Sequence, residues 1–207
     1  MKVIIMLAVA LAATPVTLSP LALPGADGLV GFDDLRFSAE LHKIIVPAGR
    51  TGRVDLVDPE TRAIDEIAGF SSSRGAGRGH DESTTSADSG QGLIFASDRT
   101  QRALVVADPS TKRILARAKL GGGPDYVRWV GATHEVWVTE PGKEVIETFR
   151  VEGTAPPKLT RTGTIDVPDG PEALEIDRHR AYTNTWHDST IAIDVHSRSI
   201  VGRWSNG

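Results

Sequence analysis

An all-β repeat fold built of short antiparallel strands is what this sequence predicts, and three observations predict it. The first is a phrase that recurs at the ends of strand-like runs. It reads Val57-Asp58-Pro59-Glu60-Thr61-Arg62, then Ala107-Asp108-Pro109-Ser110-Thr111-Lys112, then Ile193-Asp194-Val195-His196-Ser197-Arg198. Asp58, Asp108 and Asp194 stand one and then two periods apart, for a period of about 45 residues, the spacing of a repeat architecture. The second is a Gly-Pro-acid phrase, Gly123-Pro124-Asp125 and Gly170-Pro171-Glu172, spaced at close to the same period. The third is the dominance of short alternating runs such as Arg53–Val57, Gly92–Ala96, Leu104–Ala107, Glu135–Thr139, Val145–Val151, Arg180–Asn184 and Thr190–Asp194. Each is rich in Val, Ile, Leu, Tyr or Trp and bounded by Gly, Pro, Asp or Ser, which is the pattern of strands. No segment after the first 26 residues holds a convincing 3.6-residue apolar stripe.

Cut at this period, residues 27–207 give four units, at about 32–70, 83–120, 123–167 and 170–207. Each parses as four strands, A to D. In the last unit these are Ala173–Asp177, Arg180–Asn184, Thr190–Asp194 and Ser199–Trp204. Four short antiparallel strands per repeat make the blade of a β-propeller, and propellers hold four to eight blades. The fourth unit stops where the lead-in to a fifth is expected. About four blades forming an incomplete ring is therefore the expectation, with self-association through its open blade edges. The repeated Asp-Pro reads as a C–D turn, in which Asp accepts backbone hydrogen bonds and Pro fixes φ at the next position. Gly121-Gly122-Gly123 reads as the backbone's turn from blade two into blade three. Trp129, Trp137, Trp186 and Trp204 are expected to pack between blades, an aromatic ligand platform being the alternative. The low-complexity run Ser71–Gly79 is expected to be a flexible connection between blades one and two, or a loop over a ligand.

The first 26 residues differ from the rest. Lys2 is followed by an uncharged stretch with an apolar run at Val3–Ala13 and a small-residue site at Ala10-Leu11-Ala12, the form of a secretory signal peptide. Pro15, Pro20 and Pro24 interrupt the stretch, and its apolar part is shorter than the roughly 20 residues of a membrane helix. A periplasmic or secreted protein with no span after leader removal is the expectation. The 207 residues include no cysteine and carry a net charge of −4. That removes disulfides and thiolate chemistry, and the absence of any basic cluster speaks against nucleic acid as a partner.

Trp137-Val138-Thr139-Glu140 and Tyr182-Thr183-Asn184, together with Gly123-Pro124, Gly170-Pro171 and Ile191-Ala192-Ile193-Asp194, resemble the repeat of the YVTN family of β-propellers. The resemblance covers roughly Asp33 to Gly207 and is weakest in unit one, where Ile45-Val46-Pro47-Ala48 replaces the phrase. It implies a propeller that serves as a binding scaffold and is more often not an enzyme.

Blade topology fixes which loops share a face. The lead-in to strand A and the B–C loop meet near the axis. Asp33, Asp125 and Glu172 start strand A, with Ser83 at that place in unit two. Asp98, Glu140 and Asn184 end strand B, His187 follows in a B–C loop, and His80 lies in the segment leading into blade two. These eight are the candidate ligand or cation site, an acidic axial face that takes an unidentified protein or small molecule. Oxygen ligands from separate loops suit calcium, and gluconolactonase-type propellers hold an axial metal this way. A metal-dependent hydrolase of lactonase type is thus the alternative to a binding scaffold, although no cofactor is specified by any motif. No His-x-x-x-His or Gly-x-Ser-x-Gly phrase occurs, which leaves no zinc or serine-hydrolase signature. His42, His134 and His179 are placed in A–B turns on the opposite face.

Overall fold

The computed structural model describes residues 17–26, 30–73 and 82–207. Among them are sixteen strands in four antiparallel sheets of four, each sheet ordered by sequence. Blade one is β1 (Arg36–Ser38), β2 (Lys43–Pro47), β3 (Arg53–Val57) and β4 (Ile64–Ala68). Blade two is β5 (Ala87–Gly90), β6 (Leu93–Asp98), β7 (Ala103–Asp108) and β8 (Arg113–Lys119). Blade three is β9 (Val127–Val130), β10 (Glu135–Glu140), β11 (Val145–Glu152) and β12 (Lys158–Asp166). Blade four is β13 (Glu175–Asp177), β14 (Arg180–Asn184), β15 (Ser189–Asp194) and β16 (Ile200–Ser205). The first strands β1, β5, β9 and β13 are successive neighbours, as the inner strands of a propeller are. The first sixteen residues of the expected leader and most of the low-complexity run lie outside the described residues. No helix among those described is long and apolar enough to cross a membrane.

The recurring phrase does what its chemistry dictates. Asp58 accepts the backbone N–H groups of Glu60 and Thr61, Asp108 that of Ser110, and Asp194 those of His196 and Ser197. Each turn closes on a residue in the left-handed region: Arg62, Lys112 or Arg198. This last residue has a second role that the turn argument did not supply. Its cationic side chain reaches back to the preceding blade. Lys112 Nζ lies 2.7 Å from Asp65 of β4. Arg198 Nη2 lies 2.6 Å from Glu135 of β10 and donates to Thr162 as well. In blade one the equivalent Arg62 donates to Ser19 Oγ at 2.7 Å and to the Pro20 carbonyl at 2.6 Å, and Arg53 donates to the Pro24 carbonyl. Residues 17–26, placed by sequence inside the leader, thus run along blade one where a preceding blade would lie.

The core lies between blades. Ile45, Val54, Leu56 and Ile67 meet Ile94, Ala96, Val105 and Ala107 between blades one and two. Phe95, Leu104 and Val106 meet Val136, Val138 and Phe149 between two and three. Trp137, Ile146 and Ile165 meet Ala181, Ile191 and Ile193 between three and four. Alternate residues of one strand face opposite neighbours, as the period of two requires. The expectation for tryptophan holds for half the set. Trp137 is fully buried and gives its indole N–H to Glu135, and Trp129 stacks on Phe95 with ring centroids 5.4 Å apart. Trp186 and Trp204 are half exposed, because they stand on a B–C loop and on the outer strand of blade four, which no later described blade covers.

Ion pairs bind the inner strands near the axis. Arg128 of β9 is 2.5 Å from Asp34, just before β1. Arg36 of β1 is 2.6 Å from Glu175 of β13 and 3.8 Å from Asp88 of β5. Burial raises the Asp34 carboxyl above its ordinary range in spite of Arg128.

Candidate functional site

The loops predicted to share a face do share one, and they frame a half-open cavity of about 370 Å³ lined by Arg99, Gly123, Asp125, Pro141, Gly142, Glu172 and Trp186. Gly123 and Asp125 lead into blade three and Glu172 into blade four. Arg99, Pro141-Gly142 and Trp186 open the B–C loops of blades two, three and four. Backbone hydrogen bonds fix the equivalence, since the Asp125 N–H donates to the Thr139 carbonyl at 2.9 Å and the Glu172 N–H to the Asn184 carbonyl at 2.8 Å.

That register corrects the candidate set by one residue. Asn184 stands where Thr139 stands in blade three, not where Glu140 does, and its side chain is exposed. In a strand a single step changes the face. Asp98 shares a face of β6 with Ile94 and Ala96, which pack on blade one. It is fully buried there and accepts the backbone N–H groups of Ser71 and Gln101, each at 3.0 Å. Glu140 shares a face of β10 with Val136 and Val138, which pack on blade two. Neither residue lines the cavity. The residue after each of them does, and the column Arg99, Pro141, Trp186, which carries no shared residue type, lies outside the acidic pattern read from the sequence. Aligning the units on Trp137 and Tyr182 would have brought it out.

Asp33, Asp125 and Glu172 do come together. Arg99 Nη1 lies 2.5 Å from Asp125 Oδ1 and 3.3 Å from Asp33 Oδ2. Asp33 arrives by an unexpected route, its N–H donating at 2.9 Å to the Thr85 carbonyl ahead of blade two rather than to its own second strand. Glu172 accepts the Trp186 indole N–H. Asp125 is 6% exposed. Burial first, then the Asp33 charge, push its carboxyl well above the usual range against the pull of Arg99, and Glu172 adds to the rise. The guanidinium sits between the two aspartates, where the alternative reading would have put a calcium ion. Among the described residues no three His, Asp or Glu side chains converge as a metal-binding group.

His187 stands at the rim, exposed, with its ring nitrogen Nδ1 and backbone N–H both on Asp169. The hydrogen bond and charge of Asp169 raise the imidazole pKa. His80 lies outside the described residues. Ser83, Thr84, Thr85 and Ser86 are all fully buried, so their hydroxyls are not presented to solvent.

Behind the cavity wall is a pair of buried acids. Glu140 and Glu147 are 1% and 2% exposed. Glu147 accepts the Gly121 N–H at 3.0 Å and lies 2.9 Å from Arg161, while the Glu140 oxygens face the Gly121 and Gly122 N–H groups without a well-formed hydrogen bond to either. Burial, then the Glu147 charge, raise the Glu140 carboxyl to about 7. This explains the glycines that the sequence suggested were there for a turn. None of the three has positive φ. A Cβ at Gly121 would meet Glu147 Oε1 at 2.8 Å, and one at Gly122 would meet Lys143 Cγ at 2.7 Å and Glu140 Oε2 at 2.8 Å. Close approach, not a positive φ, is what a larger residue would meet at these two positions, and the buried carboxylates would have to shift to admit it.

No family model matches the chain, and no curated protein sequence does. Solved structures do. Hydrazine synthase of Kuenenia stuttgartiensis matches with a TM-score of 0.67 at 18% identity over 89% of this chain and 52% of that one. The β-propeller domain of Cps50 (Swd1) of Myceliophteria thermophila matches with a TM-score of 0.60 at 17% identity over 80% of this chain and 57% of that one. The WD40 β-propeller domain of Doa1 matches with a TM-score of 0.59 at 8% identity, over 83% and 53%. The chain spans about half the length of the propeller chains it matches. At these identities the likeness speaks for architecture alone, and it shows that architecture to be a β-propeller with WD40-like neighbours.

Proposed function

We propose that this chain is a non-catalytic propeller scaffold of YVTN-repeat type that works after export and binds a small ligand in its axial cavity. The observation that carries the reading is the cavity itself, framed by loops from three blades and lined by Arg99, two carboxyl groups and a half-exposed tryptophan. Ligand sites are concave and use a few convergent polar groups against apolar walls. The His187–Asp169 pair has no hydroxyl nucleophile hydrogen-bonded to the imidazole among the described residues, which favours binding over acyl transfer. Cleavage at the Ala10-Leu11-Ala12 site would leave residues 17–26 on the mature chain, in place along blade one. N-terminal sequencing of secreted protein tests that, and a mature chain starting at or beyond residue 27 refutes it.

The cavity reading has a clean test. A Cβ at Gly142 meets nothing within 4 Å, so a larger side chain starts in open space there, and Gly142→Phe is the variant to occlude the cavity. Saturation-transfer NMR with a defined panel of amines, carboxylic acids, sugars and nucleosides should give signals with the wild type that vanish with Gly142→Phe, at an unchanged melting temperature. Signals that persist in the variant, or none with the wild type, overturn the reading.

A further inference from the structure

We infer that one side chain from each inner strand joins a charged clasp across the axis, and that this clasp sets how tightly the four blades curve. The four residues hold the same register. Arg36 stands opposite Ile45, Asp88 opposite Phe95, Arg128 opposite Trp137 and Glu175 opposite Tyr182. Taken blade by blade, the charges run positive, negative, positive, negative. Each joins the next, and the last joins the first. Arg36 Nε lies 3.8 Å from Asp88 Oδ1. Asp88 Oδ2 accepts the backbone N–H of Trp129, the neighbour of Arg128, at 2.9 Å. Arg128 Nε lies 3.8 Å from Glu175 Oε2, and the same oxygen lies 2.6 Å from Arg36 Nη1. Arg36 and Glu175 are 139 residues apart in the chain and belong to blades one and four. A second tie crosses the axis beside the first, for Arg128 Nη2 lies 2.5 Å from Asp34 Oδ2.

The packing between blades does not fix their angle by itself. Apolar side chains fill each interface, and apolar attraction is non-directional. Blades of this kind serve rings of four to eight members, and each number demands its own angle between neighbours. The ties across the axis do depend on that angle, because they join blade one to blades three and four, whose core clusters are separate from its own. They also reach the cavity. Asp33, Asp125 and Glu172 stand three residues before Arg36, Arg128 and Glu175. Blade one delivers Asp33 to within 3.3 Å of Arg99, so a blade one that swings from the axis draws Asp33 away from Arg99.

The two ties differ in exposure. Arg128 is buried and Asp34 largely so, whereas Glu175 is exposed. Salt screens an exposed pair far more than a buried one. The Arg36–Glu175 joint is therefore the one that yields at high ionic strength.

The chain has no cysteine, so spin labels attach only where a thiol is introduced. Glu60→Cys and Ser197→Cys put one label in the exposed C–D turn of blade one and one in that of blade four. Pulsed dipolar electron paramagnetic resonance on the full chain then reads the distance between the two blades. With no further change the distribution should be narrow in dilute buffer, and longer and broader at high salt. Glu175→Arg sets a third cation beside Arg36 and Arg128, and should lengthen the mean by more than the original width already in dilute buffer. Glu175→Gln should fall between the two and lose the response to salt. Asp108→Ala, which loosens the C–D turn of blade two, should leave the distance unchanged. The same distribution with and without Glu175→Arg overturns the clasp, and so does a distance that ignores salt when Glu175 is intact. An equal shift in Asp108→Ala overturns it too, because the distance then reports general loosening. If Glu175→Arg does not fold, Glu175→Gln decides alone: an unshifted distance or an undiminished salt response refutes the inference.

Discussion

Replacing Glu140 by Gln gives the sharpest test of how this molecule handles its buried charge. The carboxyl titrates at about 7 instead of the ordinary 4.5, because it is buried and faces Glu147. A group that holds its proton more tightly when folded takes up a proton on folding between those two values. Stability is therefore greatest below about pH 4.5, falls as pH rises to about 7, and stays low above it. At roughly 1.4 kcal/mol per pH unit, the interval is worth about 3 kcal/mol, a large part of the 5–15 kcal/mol that holds a typical domain together. Glutamine keeps the shape, removes the charge and can donate to Glu147. Urea denaturation at pH 5, 6, 7 and 8, followed by tryptophan fluorescence, measures it directly. The wild type should lose about 3 kcal/mol more than Glu140→Gln across this range, and at pH 8 the variant should be the more stable by 2–3 kcal/mol, roughly. Asp125 and His187 also titrate nearby, but they do so in both proteins and cancel in the comparison. Parallel pH slopes, or a variant less stable than the wild type at pH 8, would refute the reasoning.

Other changes probe the rest of the structure. Trp137→Ala empties the interface of blades three and four and leaves Glu135 one donor short, which should cost about 3–5 kcal/mol; a loss below 1 kcal/mol in urea would show that the interface is not where stability resides. Asp108→Ala removes the turn acceptor. Hydrogen bonds from the Ser110 and Thr111 hydroxyls hold its carboxyl down to about 2, so the variant should be less stable at pH 7, with the deficit shrinking as pH falls from about 4 toward 2; a deficit constant with pH argues against the cap. Ile200, Val201 and Trp204 are exposed on β16, and such an edge invites association. Light scattering should rise with concentration and fall in Trp204→Glu, and identical scattering of the two proteins would count against this surface.

Much of the blade plan was written in the chain. Arg53–Val57 and Arg180–Asn184 are strands with the boundaries that alternation alone suggested, and the Asp-Pro turns close as the chemistry of Asp and Pro requires. These are local matters, settled within a few residues by period, β-branching and turn geometry. The face shared by lead-ins and B–C loops was also legible, because antiparallel connectivity leaves no other arrangement. Which side chains point into that face was not. A one-residue displacement at the end of a strand turns Asp98 and Glu140 into the blade interfaces and brings Arg99, Pro141 and Trp186 to the cavity. Nothing within a single unit distinguishes those two outcomes. The glycines at 121 and 122 answer to carboxylates some twenty residues away, and Arg62, Lys112 and Arg198 to partners on the blade before. By itself the sequence determined the strands, the turns and the period, which depend on neighbours along the chain. Only the tertiary structure decided the pairing of charges and the walls of the cavity, because burial and Coulomb energy depend on distances between blades that no local pattern encodes.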